Sequence, residues 1–206
     1  MRAEPTLRER RKQETNKLIL DTAIHEFATQ GYGQTTVDAI VTAAGISKGA
    51  FYHHFAGKED LFKALLEDRQ RRCIEQMQQA VAPATSVREA IERLVTASFE
   101  FCQDDPDWVR LYFEFCMQAT RDRFARKIVA DALEECRRLV AGMLQAAPKT
   151  IVRADLDIDA AAVLLTSLFD GISLHWAVDG RSTDLKMLAG PTADLIERFV
   201  SEPGNR

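Results

Sequence analysis

The chain has 206 residues, of which 46% are apolar and 28% charged, so it can bury a core as one domain or two small ones. Its net charge of −4 rules out a globally basic nucleic-acid binder. Any polyanion-binding surface must come from local clustering in residues 1–60, where eight Lys/Arg offset eight Asp/Glu.

No apolar run reaches the ~20 residues needed to span a bilayer, and MRAEPTLRERRKQE lacks the apolar segment of a signal peptide, so no membrane partner is expected. Cys73, Cys102, Cys116 and Cys136 are far apart, with no CxxC pair. That spacing points to neither a zinc site nor a disulfide framework and suits a cytoplasmic setting. No cofactor is expected.

Residues 1–13, with Arg8, Arg10, Arg11 and Lys12, read as a flexible basic arm, either solvated or reaching a neighbouring groove. Ile19, Leu20, Ala23, Ile24, Phe27 and Ala28 then form a helical stripe over Thr15–Gln30, stopped by Gly31. Thr35-Thr36-Val37-Asp38 resembles a capping box and opens a short helix to about Ala44. After Gly45-Ile46, Ser47 caps a second short helix to His54. Gly57 precedes a long helix, Lys58–Val81.

Ser86-Val87-Arg88-Glu89 is a capping box for a helix to Gln103, and Asp105-Pro106 starts the next, to Ala119. A helix from Asp122 to Ala147 stops at Pro148. Asp157 caps an apolar helix to Val178, and a last helix from Asp184 should be kinked or split at Gly190-Pro191. The expected fold is all-α, with an N-terminal three-helix unit over 14–57 and a helical bundle over 58–201.

Two short helices joined at a glycine fit a helix-turn-helix. Phe51 and Phe55 turn inward. Lys48 and Tyr52 then share an outer face, with Gly49 and His53 beside them. Such a face suits the major groove: lysine and tyrosine reach phosphates or base edges, and glycine allows close backbone approach. Lys58, in the first turn of its helix, could meet a phosphate together with free backbone amides. Adjacent helical residues point about 100° apart, so His53 and His54 do not readily share a metal.

The run 35-TTVDAIVTAAGISKGAFYHHFAGKEDLFKAL-65, extended back through 19-ILDTAIHEFATQGY-32, resembles the DNA-binding domain of the tetracycline-repressor (TetR) family of bacterial transcriptional regulators. The resemblance implies DNA contacts at Thr35, Thr36, Lys48, Gly49, Tyr52, His53, His54 and Lys58. It departs at Val41, where the family usually has alanine. It also implies a homodimer through 158–178 and 184–200. Small residues in the first of these segments (Ala160, Ala161, Ala162, Ser167, Gly171, Ser173) independently suit close helix approach.

Phe99, Phe101, Trp108, Tyr112, Phe113, Phe115, Cys116 and Met117 concentrate in 98–119. As a set they read as the wall of an effector pocket, with Tyr112, Glu114, Gln118 and His175 as polar handles. The resulting expectation is a repressor, not an enzyme, released from a roughly palindromic double-stranded DNA operator by a small apolar or aromatic effector. The alternatives are a regulator triggered by cysteine oxidation and a helical carrier with no DNA role.

Overall fold

The computed structural model describes residues 6–147 and 152–201. These residues form the helices α1 (Leu7–Gln30), α2 (Val37–Ala43), α3 (Lys48–His54), α4 (Lys58–Val81), α5 (Val87–Asp104), α6 (Pro106–Ala119), α7 (Arg123–Ala146), α8 (Ile158–Val178) and α9 (Leu185–Val200), with no strand among them. The expected stop at Pro148 and both extreme termini lie outside the described residues.

Most helix starts follow the local chemistry of the cap. The side chains of Ser47, Ser86, Asp105, Asp122 and Asp157 each accept a backbone N–H from the first turn they precede. Two starts differ from the sequence reading. Helix α1 begins at Leu7, eight residues before the expected Thr15, because Thr6 and Glu9 make a reciprocal capping box. Residues 7–13 are therefore helical, and Arg8, Arg11 and Lys12 ride on a rod instead of a flexible arm. At α2 the cap is Thr36, whose Oγ1 accepts from Ala39 N at 3.1 Å; Thr35 lies one residue outside the helix.

Helix α9 is not split. Pro191 lies inside Leu185–Val200, and Pro191 and Met187 are both exposed. The Met187 carbonyl, which loses its helical N–H partner to the proline ring, therefore lies on the solvent side, where water can bond it.

Two apolar cores divide the molecule. The larger joins Ile19, Ala23 and Phe27 of α1, Ile40 of α2, Phe51 of α3 and Phe62 of α4 to Trp108, Leu111 and Phe115 of α6 and Ile128 of α7. The smaller joins Val95 and Phe99 of α5, Leu165 of α8 and Leu185, Ala193 and Ile196 of α9. No break in packing falls at 57/58: the head formed by α1–α3 shares a core with α4, α6 and α7.

The expectation that no apolar segment could span a membrane is overturned. At 21 residues, α8 is long and apolar enough to do so, and little of it is buried within the protomer. The sequence reading counted unbroken apolar runs, whereas α8 interrupts its runs with Thr166, Ser167 and Asp170 while staying apolar on average.

Candidate nucleic-acid interface and sensor core

The turn between α2 and α3 closes on Gly45, whose φ of +66° is one that side-chain-bearing residues rarely adopt. Ile46 N bonds back to Val41 O at 3.0 Å, and Ser47 Oγ accepts from Ala50 N at 3.1 Å. Phe51 is fully buried and Phe55 nearly so. This leaves Lys48, Gly49, Tyr52 and His53 exposed on one side of α3, with Thr36 exposed at the start of α2. A Cβ at Gly49 would meet nothing closer than 3.8 Å, so the backbone there is open to a large partner.

Lys48 is not an isolated cation. Its Nζ pairs with Asp38 of α2 at 2.7 Å, and this hydrogen bond raises the lysine's pKa. His54 is half-buried against Phe55. Desolvation first, then the charges of His53 and Lys12, push its pKa below the usual histidine value.

Two expected DNA-contacting residues face the other way. Thr35 is 1% exposed, and its hydroxyl donates to Gly31 O at 2.8 Å and Glu26 O at 3.2 Å. Lys58 folds back over the Tyr32 ring, 4.6 Å from its centroid, and donates to the carbonyls of Tyr32 (2.8 Å), Thr35 (3.0 Å) and Gly33 (3.3 Å). An ammonium has three protons, and here three carbonyls take them. Partial burial pushes the Lys58 pKa down, with Glu59 opposing. Both side chains shape the loop between α1 and α2 and present little to a phosphate.

The same loop is held from the opposite side by α6. Tyr32 N donates to Glu114 Oε1 at 2.8 Å, and Phe115 stacks on Phe62 at 3.7 Å while its ring edge meets Tyr32 at 5.0 Å. The start of α6 is anchored too. Asp105 caps Trp108 N and pairs with the largely buried Arg69 of α4 at 2.9 Å.

These contacts redraw the expected pocket. Trp108 and Phe115 belong to the core shared with the head, Phe99 packs on Phe169 in the smaller core, and His175 is exposed on α8. Glu114 serves the head. Phe113 is half-buried, its ring 5.3 Å from Tyr112. Of the expected set, Tyr112 and Cys116 reach a polar cluster in the bundle.

That cluster was invisible in the sequence. Asp170 of α8 acts electrostatically on Tyr112 and Cys116 of α6, Cys136 of α7 and Cys102 of α5. Cys73 of α4 feels Cys136 and Cys102. Gln70 Nε2 donates to Cys136 Sγ at 3.7 Å, and Cys102 Sγ lies 3.3 Å from Ser173 Oγ. Burial pushes the thiols up, Cys73 to about 12 and Cys116 and Cys136 to about 11, and raises Asp170 to about 6. A cleft of about 580 Å³ between α4 and α7, lined by Glu67, Gln70, Arg71, Ile74, Glu75 and Glu135, borders this cluster through Gln70. Among the described residues no group of three or more His, Cys, Asp or Glu is arranged to hold a metal.

Comparison with known proteins agrees with this geometry. Residues 19–65 match the family model described as bacterial regulatory proteins, tetR family. Residues 87–200 match the BetI-type transcriptional repressor, C-terminal. The chain is 28% identical over 189 residues to the HTH-type transcriptional repressor KstR2 of Rhodococcus jostii (strain RHA1), covering 91% of each chain. It is 28% identical over 199 residues to the HTH-type transcriptional regulator AcrR of Shigella flexneri, covering 93% of this chain and 92% of that one. The fold matches FadR from Bacillus subtilis in complex with stearoyl-CoA, with a TM-score of 0.76, 21% identity and coverage of 89% and 98%. With the first match on the helix-turn-helix and the second spanning more than half of the sequence, the chain belongs to the tetR family of bacterial transcriptional regulators, with a C-terminal domain of the BetI type.

Proposed function

We propose that this regulator is a homodimeric repressor that leaves a roughly palindromic operator when a small molecule enters the bundle beside Tyr112 and Cys116. One observation carries the reading: α6 has two faces with two tasks. Glu114 and Phe115 hold the head through Tyr32 and Phe62, while Tyr112 and Cys116 meet the polar cluster around Asp170. A ligand that shifts or turns α6 disturbs both sets at once. A preference of only ~1–3 kcal/mol for the non-binding arrangement weakens DNA affinity some 5–150-fold. The stearoyl-CoA bound by a structural neighbour supports a cavity-forming fold.

Duplex contact is assigned to Thr36, Lys48, Gly49, Tyr52 and His53, with His54 at the margin and the basic start of α1 alongside. Lys48 would exchange Asp38 for a phosphate or share it between them. The dimer reading rests on the apolar side chains that α8 and α9 leave uncovered, among them Leu164, Leu174, Val178, Met187 and Leu195. A Cβ added at Gly171 or Gly190 would meet nothing within 4 Å, so neither glycine is required by its own protomer. A four-helix pairing of α8 and α9 with their two-fold copies would cover that surface.

The deciding experiment is fluorescence anisotropy with DNA from the gene's upstream region, at several salt concentrations. Salt-dependent, saturable binding is expected, with loss of affinity in the Lys48→Ala/Tyr52→Ala double variant. Unchanged binding by that variant would remove α3 as the reading element.

A further inference from the structure

Asp38 of α2 sets a carboxylate beside the exposed face of α3. Its Oδ1 and Oδ2 lie 2.7 and 2.9 Å from Lys48 Nζ, and the two side chains are 65% and 60% exposed. Lys48 shares its side of α3 with exposed Gly49, Tyr52 and His53. The acid therefore stands where a polyanion would arrive.

The ordinary tasks of a surface acid do not account for it. Thr36 already caps α2, its Oγ1 accepting from Ala39 N, and among the described residues Asp38 accepts no backbone N–H. The dipole of a seven-residue helix favours an acid in its first turn, but that benefit needs no partner on α3. An exposed ion pair adds little to stability. Against these small gains, a carboxylate close to phosphates is repelled, which weakens binding unless the acid receives something in the groove.

The free lone pairs say what it can receive. A carboxylate has about four acceptor sites. Lys48 meets one on each oxygen, and the others face water. The donors in the major groove are the amino groups of cytosine (N4) and adenine (N6). Adenine places N7, an acceptor, beside N6, and this repels a carboxylate; cytosine has only a C–H beside N4. An ammonium has three protons, so Lys48 can keep Asp38, reach a phosphate and offset part of the carboxylate's charge.

We propose that Asp38 is a specificity-determining residue of operator recognition: it accepts a hydrogen bond from the N4 amino group of one cytosine in each half-site, with Lys48 bridging it to a backbone phosphate. This rests on the assignment of α3 to the major groove above and adds a base contact from α2. Over cytosine the carboxylate is satisfied. Over any other base it is a negative charge facing a polyanion, so the same residue selects one base and repels the rest.

The test is selection of the full-length protein on a random-sequence duplex library, followed by anisotropy titrations on the enriched site and on its single base-pair replacements. One cytosine per half-site should matter to the wild type by about tenfold. In Asp38→Ala that position should become indifferent while the other positions keep their preferences. The same variant should bind an alternating A·T duplex, which has no cytosine, about threefold more tightly than wild type, because one repulsion across several ångströms of water is gone. Asp38→Asn should accept adenine as well as cytosine, since an amide pairs with N6 and N7 together. A motif shared unchanged by wild type and Asp38→Ala overturns the proposal, as does a loss of preference at every position alike. Either result leaves the regulator reading standing, whereas a wild type that enriches no motif and shows no saturable binding sinks both.

Discussion

The backbone N–H of Tyr32 and the carboxylate of Glu114, 82 residues apart in sequence, meet at 2.8 Å. The bond joins the loop that ends α1 to the middle of α6, and so ties the helix-turn-helix head to the helix that also carries Tyr112 and Cys116. Gly31 sits at the same point with φ +81°, and a Cβ there would come within 3.3 Å of Glu114 Oε1. Glu114→Ala should lower stability by about 1–3 kcal/mol, because an amide in a half-buried loop loses its acceptor. Urea unfolding measures that loss. Operator affinity in the same variant should respond less to effector, since one of the links between α6 and the head is gone.

Lys48 and Lys58 should part company. Lys48→Ala should weaken operator binding and reduce the slope of log K against log salt by about 1, as expected for a lost phosphate contact. Lys58→Met should act on folding, costing about 1–3 kcal/mol for the three carbonyls it leaves behind, with a nearly unchanged salt slope. Anisotropy titrations in a salt series, run beside thermal melts, separate the two. A reduced slope for Lys58→Met would show that its side chain leaves the loop to meet DNA.

Phe115→Ala removes a ring fully buried between Phe62 and Tyr32. The expected cost is about 3–5 kcal/mol. Because this core is common to the head and to α4, α6 and α7, unfolding should remain one cooperative transition in both proteins. Two separated transitions in the wild type would contradict the shared core.

The carboxyl of Asp170 is raised from 3.8 to about 6 by burial. Its folded pKa thus exceeds its unfolded value, so the folded state holds the proton more tightly. Above pH 6 the ionised group destabilises the fold by up to about 3 kcal/mol. That penalty shrinks as pH falls through 6 and disappears below about 4. Asp170→Asn should therefore melt higher than wild type at pH 8 and at the same temperature at pH 4.

The half-buried thiols should resist mild oxidation. Partial burial holds the Cys73, Cys116 and Cys136 thiols well above an ordinary thiol, at about 12, 11 and 11, leaving little thiolate at neutral pH. Mass spectrometry after dilute peroxide should find these residues unmodified in the folded protein and modified once urea is added. Rapid oxidation in the folded state would instead favour a redox trigger.

The sequence by itself determined the helices and the inward turn of α3. Caps, glycine stops and the 3.6-residue period act over a few residues, and they placed α4, α5, α6 and α8 close to where they lie. The same rules put Phe51 and Phe55 behind Lys48 and Tyr52. The early start of α1 was also legible, in Thr6 and Glu9, since a capping box is a local pattern.

What the tertiary structure decided is the partner of each polar side chain. Lys58 at a helix start and Thr35 before one look like groups free to meet an anion, yet both are turned inward by the Gly31–Thr35 loop. Cys73, Cys102, Cys116 and Cys136 are scattered along the chain, and each comes from a different helix, α4 to α7. Cys102, Cys116 and Cys136 come under the influence of Asp170 only because α5, α6 and α7 all pack on α8. Spacing along a chain encodes which face of a helix a residue occupies; it carries no information about which other helix will stand opposite that face. Here that meeting determines which polar groups hold the fold together and which remain exposed.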